Sequence, residues 1–124
     1  MVNNPNAGFP CALYCRIDSP DDISLLKVQE SYLRKFANSN ELVVYRVYRD
    51  CGDGLAIEDR PGLQQLFADT TYFTYCITVH PFILAQDFAL LADLIERLNE
   101  NYVHFAWSND MIDDLVAVIG NRMQ

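Results

Sequence analysis

The chain has 124 residues, about half of them apolar, with 17 acidic against nine basic side chains and a formal net charge of −8. That length suits one folded unit and excludes a second of comparable weight. No apolar run is long enough to cross a bilayer, and Met1 to Gly8 lacks the basic start and apolar stretch of a secretory signal, so neither membrane insertion nor export is expected. The charge opposes duplex DNA, because unspecific affinity comes from basic side chains that displace counterions from phosphates, and only two lysines are present.

The residues from Asn3 to Pro10 hold two prolines and a glycine and read as an irregular lead-in. An apolar strand follows from about Cys11 to Ile17, and it delivers an arginine, a carboxylate and a hydroxyl (Arg16, Asp18, Ser19) to the sheet edge where α/β folds place their sites. Ser19-Pro20-Asp21-Asp22 supplies cap candidates for a helix carrying Leu25, Val28, Tyr32, Leu33 and Phe36, which should end near Asn38-Ser39-Asn40. Leu42 to Tyr48 reads as a second strand, and Asp50 to Gly54 as a loop by composition.

Pro61 suits the first turn of a second helix that buries Leu63, Leu66 and Phe67 and finishes near Thr71. Tyr72 to Val79 is a third strand. Leu84, Phe88, Leu91, Ile95 and Leu98 recur in steps of four and three and predict one helix of about four turns, with Phe88 in the core. Val103 to Trp107 is a fourth strand, and Asn109 or Asp110 would cap a last helix through Ile112, Leu115, Val116 and Ile119 that stops at Gly120. Strand and helix alternate throughout. The expected fold class is therefore α/β: a three-layer sandwich, with a mostly parallel sheet of four or five strands and helices on both faces.

Cys11, Cys15, Cys51 and Cys76 lack the close pairs of a zinc or redox site, and Cys11 and Cys15 lie roughly 13 Å apart along one strand at ~3.3 Å per residue. Core thiols in a cytoplasmic protein are expected, with no metal and no cofactor. His80 and His104 have no ligand pattern around them and read as structural. Asp50, Asp53 and their glycines match a calcium loop too briefly to hold an ion.

Several stretches carry a family likeness. Tyr14-Cys15-Arg16-Ile17-Asp18 resembles the Tyr-x-Arg-x-Ser strand of the serine recombinases, the resolvase and invertase family, with Asp18 in the serine's place. Ser24 to Gln29 resembles the Ser-Leu-x-x-Gln start of the family's first long helix, with one more residue before the glutamine. Val47 to Gly52 is similar to its second strand and acidic-glycine loop, and Asp59-Arg60-Pro61-Gly62-Leu63 matches its Asp-Arg-Pro-Gly-Leu motif intact. Leu94 to Asn99 and Val103 to Trp107 fit the helix and strand that precede the family's long dimer helix. The likeness spans about Ala12 to Asn109, and it implies a resolvase-like catalytic-domain fold with family site positions at Arg16, Asp18, Ser19, Gln29, Asp59 and Arg60.

In the family the serine attacks a DNA phosphodiester and arginines neutralise the phosphorane. That chemistry needs a hydroxyl with a removable proton and cations around a developing dianion. Asp18 supplies neither. Where the family carries Leu-Ser-Arg-Leu-Ser-Arg-Asp, this chain reads Pro81-Phe82-Ile83-Leu84-Ala85-Gln86-Asp87, so both arginines are replaced, by Ile83 and Gln86.

The expected function is a recombinase catalytic-domain homologue without strand exchange, its site positions vestigial. It would serve as an oligomerisation or regulatory module that self-associates or pairs with a recombinase-like partner, and that binds DNA weakly or not at all. No DNA-binding domain is expected after the core, and the likeness implies a mobile-element origin. Two alternatives stay open. One is an active recombinase or nicking enzyme that uses Ser19 with Arg16 and Arg60; Ser19 as a helix cap before Pro20 is the competing role. The other is a small-anion or nucleotide site near Arg16, Asp50 and Arg60, which an internal pair of Arg16 with Asp18 or Asp50 would close. Asp59 and Arg60 divide evenly between half a phosphate site and a cap with a surface pair, and Phe82 and Ile83 between core and protein contact.

Overall fold

The computed structural model describes residues 7–53 and 56–107. Its strands are β1 (Pro10–Ile17), β2 (Val43–Cys51), β3 (Tyr75–Thr78) and β4 (His104–Trp107), and its helices α1 (Ile23–Ser39), α2 (Pro61–Ala68), α3 (Pro81–Leu84) and α4 (Phe88–Glu100). The sheet runs in the order β2-β1-β3-β4 and every pair is parallel. β1 is an interior strand, which is why it reads as an unbroken apolar run: every residue from Cys11 to Ile17 is buried.

Alternation along β1 divides the core in two. Cys11, Leu13 and Cys15 pack with Leu33 and Ala37 of α1, while Ala12 and Tyr14 pack with Leu63 and Leu66 of α2 and Leu91, Leu94 and Leu98 of α4. One helix thus covers one face and the remaining helices the other, giving the expected three layers. Among the described residues no helix is long and apolar enough to cross a membrane. The helix expected after Trp107, through Ile112 to Ile119, lies outside the described residues.

Pairing redraws several element borders. β2 continues through Asp50 and Cys51, which composition assigns to a loop, because β1 still offers it Arg16 and Ile17 as register partners. The Gly52 amide then donates to the Ile17 carbonyl at 2.8 Å. β3 is shorter than expected. Thr70–Tyr72 is a 3-10 turn instead of its start, and the Tyr72 ring stacks on Tyr45 at 5.5 Å.

The single helix expected from Leu84 to Leu98 is two. Ala85 is extended (φ −160, ψ 140), and the Asp87 carboxylate accepts from the Leu90 amide at 2.9 Å, capping α4 afresh. Leu84 still reaches the core of α4, so the spacing held across the break. Phe88 does not: it is 74 % exposed at the first position of α4 and meets Phe82 edge-on at 5.3 Å. In α1 the buried positions are Gln29, Leu33 and Ala37, while Leu25 and Val28 face outward.

The N-terminus of α2 is held from outside the helix. Arg60 offers no side-chain cap, and the Asp50 carboxylate on β2 instead accepts from the amides of Gly62 (2.7 Å) and Leu63 (2.8 Å) and from the Tyr14 hydroxyl (2.7 Å). An anion at a helix start satisfies orphan N–H groups and the positive end of the helix dipole. The approach leaves no room for a side chain at Gly62, where a Cβ would sit 2.9 Å from the Asp50 carboxylate and against the Arg49 carbonyl.

Gly62→Ala should therefore lower stability by about 1–3 kcal/mol in urea unfolding, whereas a neutral result would disconnect α2 from β2. Cys11, Cys15 and Cys76 are buried and Cys51 is exposed, so a thiol reagent should titrate one cysteine in the native protein and four in denaturant. Burial raises the thiols of Cys11 to about 11 and of Cys15 and Cys76 to about 12. Above the ordinary thiol pKa of ~8.5 the unfolded chain has lost protons that the native state keeps, so stability should fall as pH rises from there toward 11. A urea midpoint that stays level between pH 8 and 10.5 would contradict this.

Candidate functional site

At the C-terminal ends of β1 and β2, α1 and α3 converge on an open cavity of about 190 Å³, lined among others by Arg16, Asp18, Asp22, Leu25, Gln29 and Ile83. Parallel strands place their sites at this edge. The cavity falls below the roughly 300–1,000 Å³ that enclose a small organic ligand, which disfavours a nucleotide here.

Arg16 lies across its floor and is 4 % exposed. Its Nε donates to the Ile83 carbonyl (2.9 Å) and its Nη2 to the Phe82 carbonyl (2.8 Å). Its Nη1 donates to the Gly52 carbonyl and to the Asp18 carboxylate, each at 2.6 Å. Four of the five guanidinium N–H groups are thereby engaged inside the protein. The internal partner is Asp18, while Asp50 is occupied by α2 and Tyr14.

Gln29 fixes the backbone beneath this arginine. β3 pairs with β1 only as far as Leu13, and Gln29 takes over from α1, its Oε1 accepting from the Arg16 amide (3.1 Å) and its Nε2 donating to the Arg16 carbonyl (2.9 Å). A buried glutamine with both ends bonded to one residue satisfies that residue's backbone groups on the side that β3 leaves open.

Asp18 is exposed at the cavity mouth. Its Oδ1 accepts from Arg16 and also from Gln86 Nε2 at 3.1 Å. By the resemblance, Gln86 stands at the place of one of the family's arginines and Asp18 at that of its serine, and these two side chains are bonded to each other. The other replacement, Ile83, lines the cavity and packs into the cores on both sides of the sheet.

The remaining expected positions are not gathered here. The Ser19 hydroxyl accepts from the Asp21 amide (3.2 Å) and caps the 3-10 turn Pro20–Asp22. Asp59 is exposed in a second 3-10 turn, with no side-chain hydrogen bond among the described residues. Arg60 is 1 % exposed beside Tyr14. Its Nη1 donates to the Leu84 carbonyl, and its Nε and Nη2 are buried without a partner among the described residues. Burial raises the Tyr14 hydroxyl well above its usual range, and the Asp50 hydrogen bond adds to the shift against the pull of Arg60.

Sequence spacing missed Asp22, Leu25 and the carbonyls of Gly52, Phe82 and Ile83. Backbone acceptors leave no residue signature. Among the described residues no group of three metal-ligating side chains converges, His80 and His104 included. The His80 ring accepts from the Phe82 amide at 3.1 Å, at the start of α3.

Removing Arg16 strands three carbonyls and a carboxylate. Arg16→Met should cost about 3–5 kcal/mol in urea unfolding, and Arg16→Lys should fail to rescue it because an ammonium lacks the planar fork. Asp18→Asn, at an exposed partner, should cost no more than about 1 kcal/mol. Arg60→Met should be near neutral or stabilising, since it exchanges one hydrogen bond for the relief of two buried, unpaired donors.

The family model described as "Resolvase, N terminal domain" matches residues 11–121. Similar solved structures include the C-terminal catalytic domain of ISC1926 TnpA, an IS607-like serine recombinase. It is 22 % identical, covers 89 % of this chain and 79 % of that one, and has a TM-score of 0.74. The N-terminal catalytic domain of TP901-1 integrase is 21 % identical over 92 % of this chain and 95 % of that one, with a TM-score of 0.69. A serine recombinase from Sulfolobus solfataricus is 20 % identical over 90 % and 80 %, with a TM-score of 0.68. At these identities the likeness is one of fold. No curated protein matches the chain. With the resolvase model covering nearly its whole length, and the parallel sheet and three layers of serine recombinase catalytic domains around its strand ends, the chain belongs to the resolvase family, by its N-terminal domain.

Proposed function

We propose that this domain keeps the resolvase scaffold without strand-exchange chemistry and works through protein contact, as an oligomerisation or regulatory module that joins a second copy or another recombinase-like chain. One observation carries the reading. At the position of the family's nucleophilic serine stands Asp18, and its carboxylate is bonded to the arginine that would otherwise face a phosphate. A carboxylate has no proton to yield on attack, and at ~4 Å it repels a phosphate charge by about 4 kcal/mol at an effective dielectric constant near 20. The Asp18 to Gln86 bond and the carbonyls around Arg16 support the same reading. Arg16 is already bonded within the protein, Ile83 and Gln86 stand in the places of arginines, and Arg60 is buried away from the cavity.

The net charge of −8 further disfavours a duplex. Four free thiols, three of them buried, support a reducing compartment such as the cytoplasm. The alternative nucleophile, Ser19, has its hydroxyl in a cap, which favours no second reading.

Incubation with supercoiled plasmid, quenched in detergent, should trap no covalent protein–DNA product, and Ser19→Ala should leave that result unchanged. Asp18→Ser should also yield no cleavage, because Ile83 and Gln86 still stand where the family has arginines. An adduct that disappears in Ser19→Ala would overturn the proposal.

A further inference from the structure

Around the cavity mouth the surface combines two properties that a phosphate site avoids. The first is free negative charge. Arg16 is internally neutralised by Asp18, and Asp22 lines the cavity without capping α1; among the described residues neither the Asp18 Oδ2 nor the Asp22 carboxylate has a hydrogen-bond partner. The second is exposed apolar surface. Leu25 is 43 % exposed, Phe82 38 % and Phe88 74 %, and Phe82 links the Phe88 ring to Ile83 on the cavity wall. A patch of this kind beside a pocket marks a contact with another macromolecule.

We infer that this rim is a docking surface for a protein segment that places a basic side chain into the cavity beside Asp18 and Asp22 and lays an apolar neighbour on Leu25, Phe82 and Phe88. The inference rests on the preceding reading, that no DNA strand is cut here, and names the chemistry of the partner. Charge complementarity selects the occupant. A nucleic acid or phosphorylated ligand would meet two carboxylates and no available guanidinium. A lone metal ion would leave the apolar rim unused, and no three ligating side chains converge among the described residues.

A second copy of this chain is a poor match, since it brings 17 acidic residues against nine basic ones. Of the latter, Arg16 and Arg60 are buried, Arg34, Arg46 and Arg49 are paired with Glu30 or Asp69 and Arg97 lies over the Phe67 ring, which leaves Lys27 and Lys35 of α1 as the remaining exposed cations among the described residues against that acidic excess. A cavity of about 190 Å³ takes one side chain, not a folded element, so a short extended segment fits.

The test is an NMR titration of the full chain, following backbone amides, with the peptide acetyl-Arg-Ala-Phe-amide, its citrulline counterpart and inorganic phosphate as probes. The arginine peptide should shift the amides of Asp18, Asp22, Leu25, Ile83 and Phe88 saturably, and the citrulline peptide should bind them about three- to fivefold more weakly. Asp22→Asn, at a side chain that makes no hydrogen bond among the described residues, should produce the same weakening, and Phe88→Ala should weaken both peptides alike. Equal binding of the two peptides, shifts confined to other surfaces, or shifts of these amides by phosphate would each overturn the inference. So would shifts of the same amides on raising protein concentration alone, which would assign the face to a second copy. A covalent DNA adduct in the plasmid assay would overturn the underlying reading as well, whereas absence of peptide shifts without an adduct removes only the inference made here.

Discussion

Three successive carbonyls of one short helix organise the strand ends of this domain. α3 has only four residues, so its carbonyls at Phe82, Ile83 and Leu84 have no following turn to donate to them. Two arginines from other elements supply the missing donors. Arg16 on β1 bonds Phe82 and Ile83, and Arg60, just before α2, bonds Leu84. Cations at the C-terminal end of a helix also answer its dipole. The two differ in quality. Arg16 has all three guanidinium nitrogens bonded and a carboxylate beside it, while Arg60 has one nitrogen bonded and two left in the interior without a partner among the described residues, so the first is a firm joint and the second a costly one.

Asp50 performs the complementary service at the other polarity. On β2, it binds the N-terminal amides of α2 and the hydroxyl of Tyr14 on β1, joining three elements through one carboxylate. Gln29 then locks the Arg16 backbone from α1. Arg16, Gln29 and Asp50 are consequently each paired with another part of the fold. These bonds are structural in their own right, and do not need a phosphate to complete them.

The same local exchange alters what the surface can recognise. With a serine and arginines, the mouth of such a site is polar and cationic. With Asp18, Asp22, Ile83 and Gln86 in the presence of exposed Leu25, Phe82 and Phe88, it is anionic and apolar. Under the docking reading, electrostatics and desolvation act together in favour of a basic, apolar protein segment.

Periodicity and pairing rules were enough to read the α/β class, the parallel sheet, the two helical faces and the buried run of β1 from the sequence, because each depends on apolar spacing within one element. The Ser19 cap was legible in the same way, since it follows from residues a few places apart, whereas Arg16, Asp18 and Gln29 were singled out by the resemblance of short stretches to the resolvase family. Tertiary structure alone decided the rest. Phe88 sits on the periodic stripe of α4 but at its first position, beyond the reach of the core, so spacing placed it inside and geometry outside. Asp50 has the composition of a loop, yet β1 pairs with it and α2 lends it two amides. Arg16 chose Asp18 over Asp50, and Gln86 met Asp18 across 68 residues of chain. Side-chain spacing within one element is local and leaves a pattern in the sequence, whereas backbone carbonyls, remote caps and the depth of a helix end exist only once separate elements have been brought together.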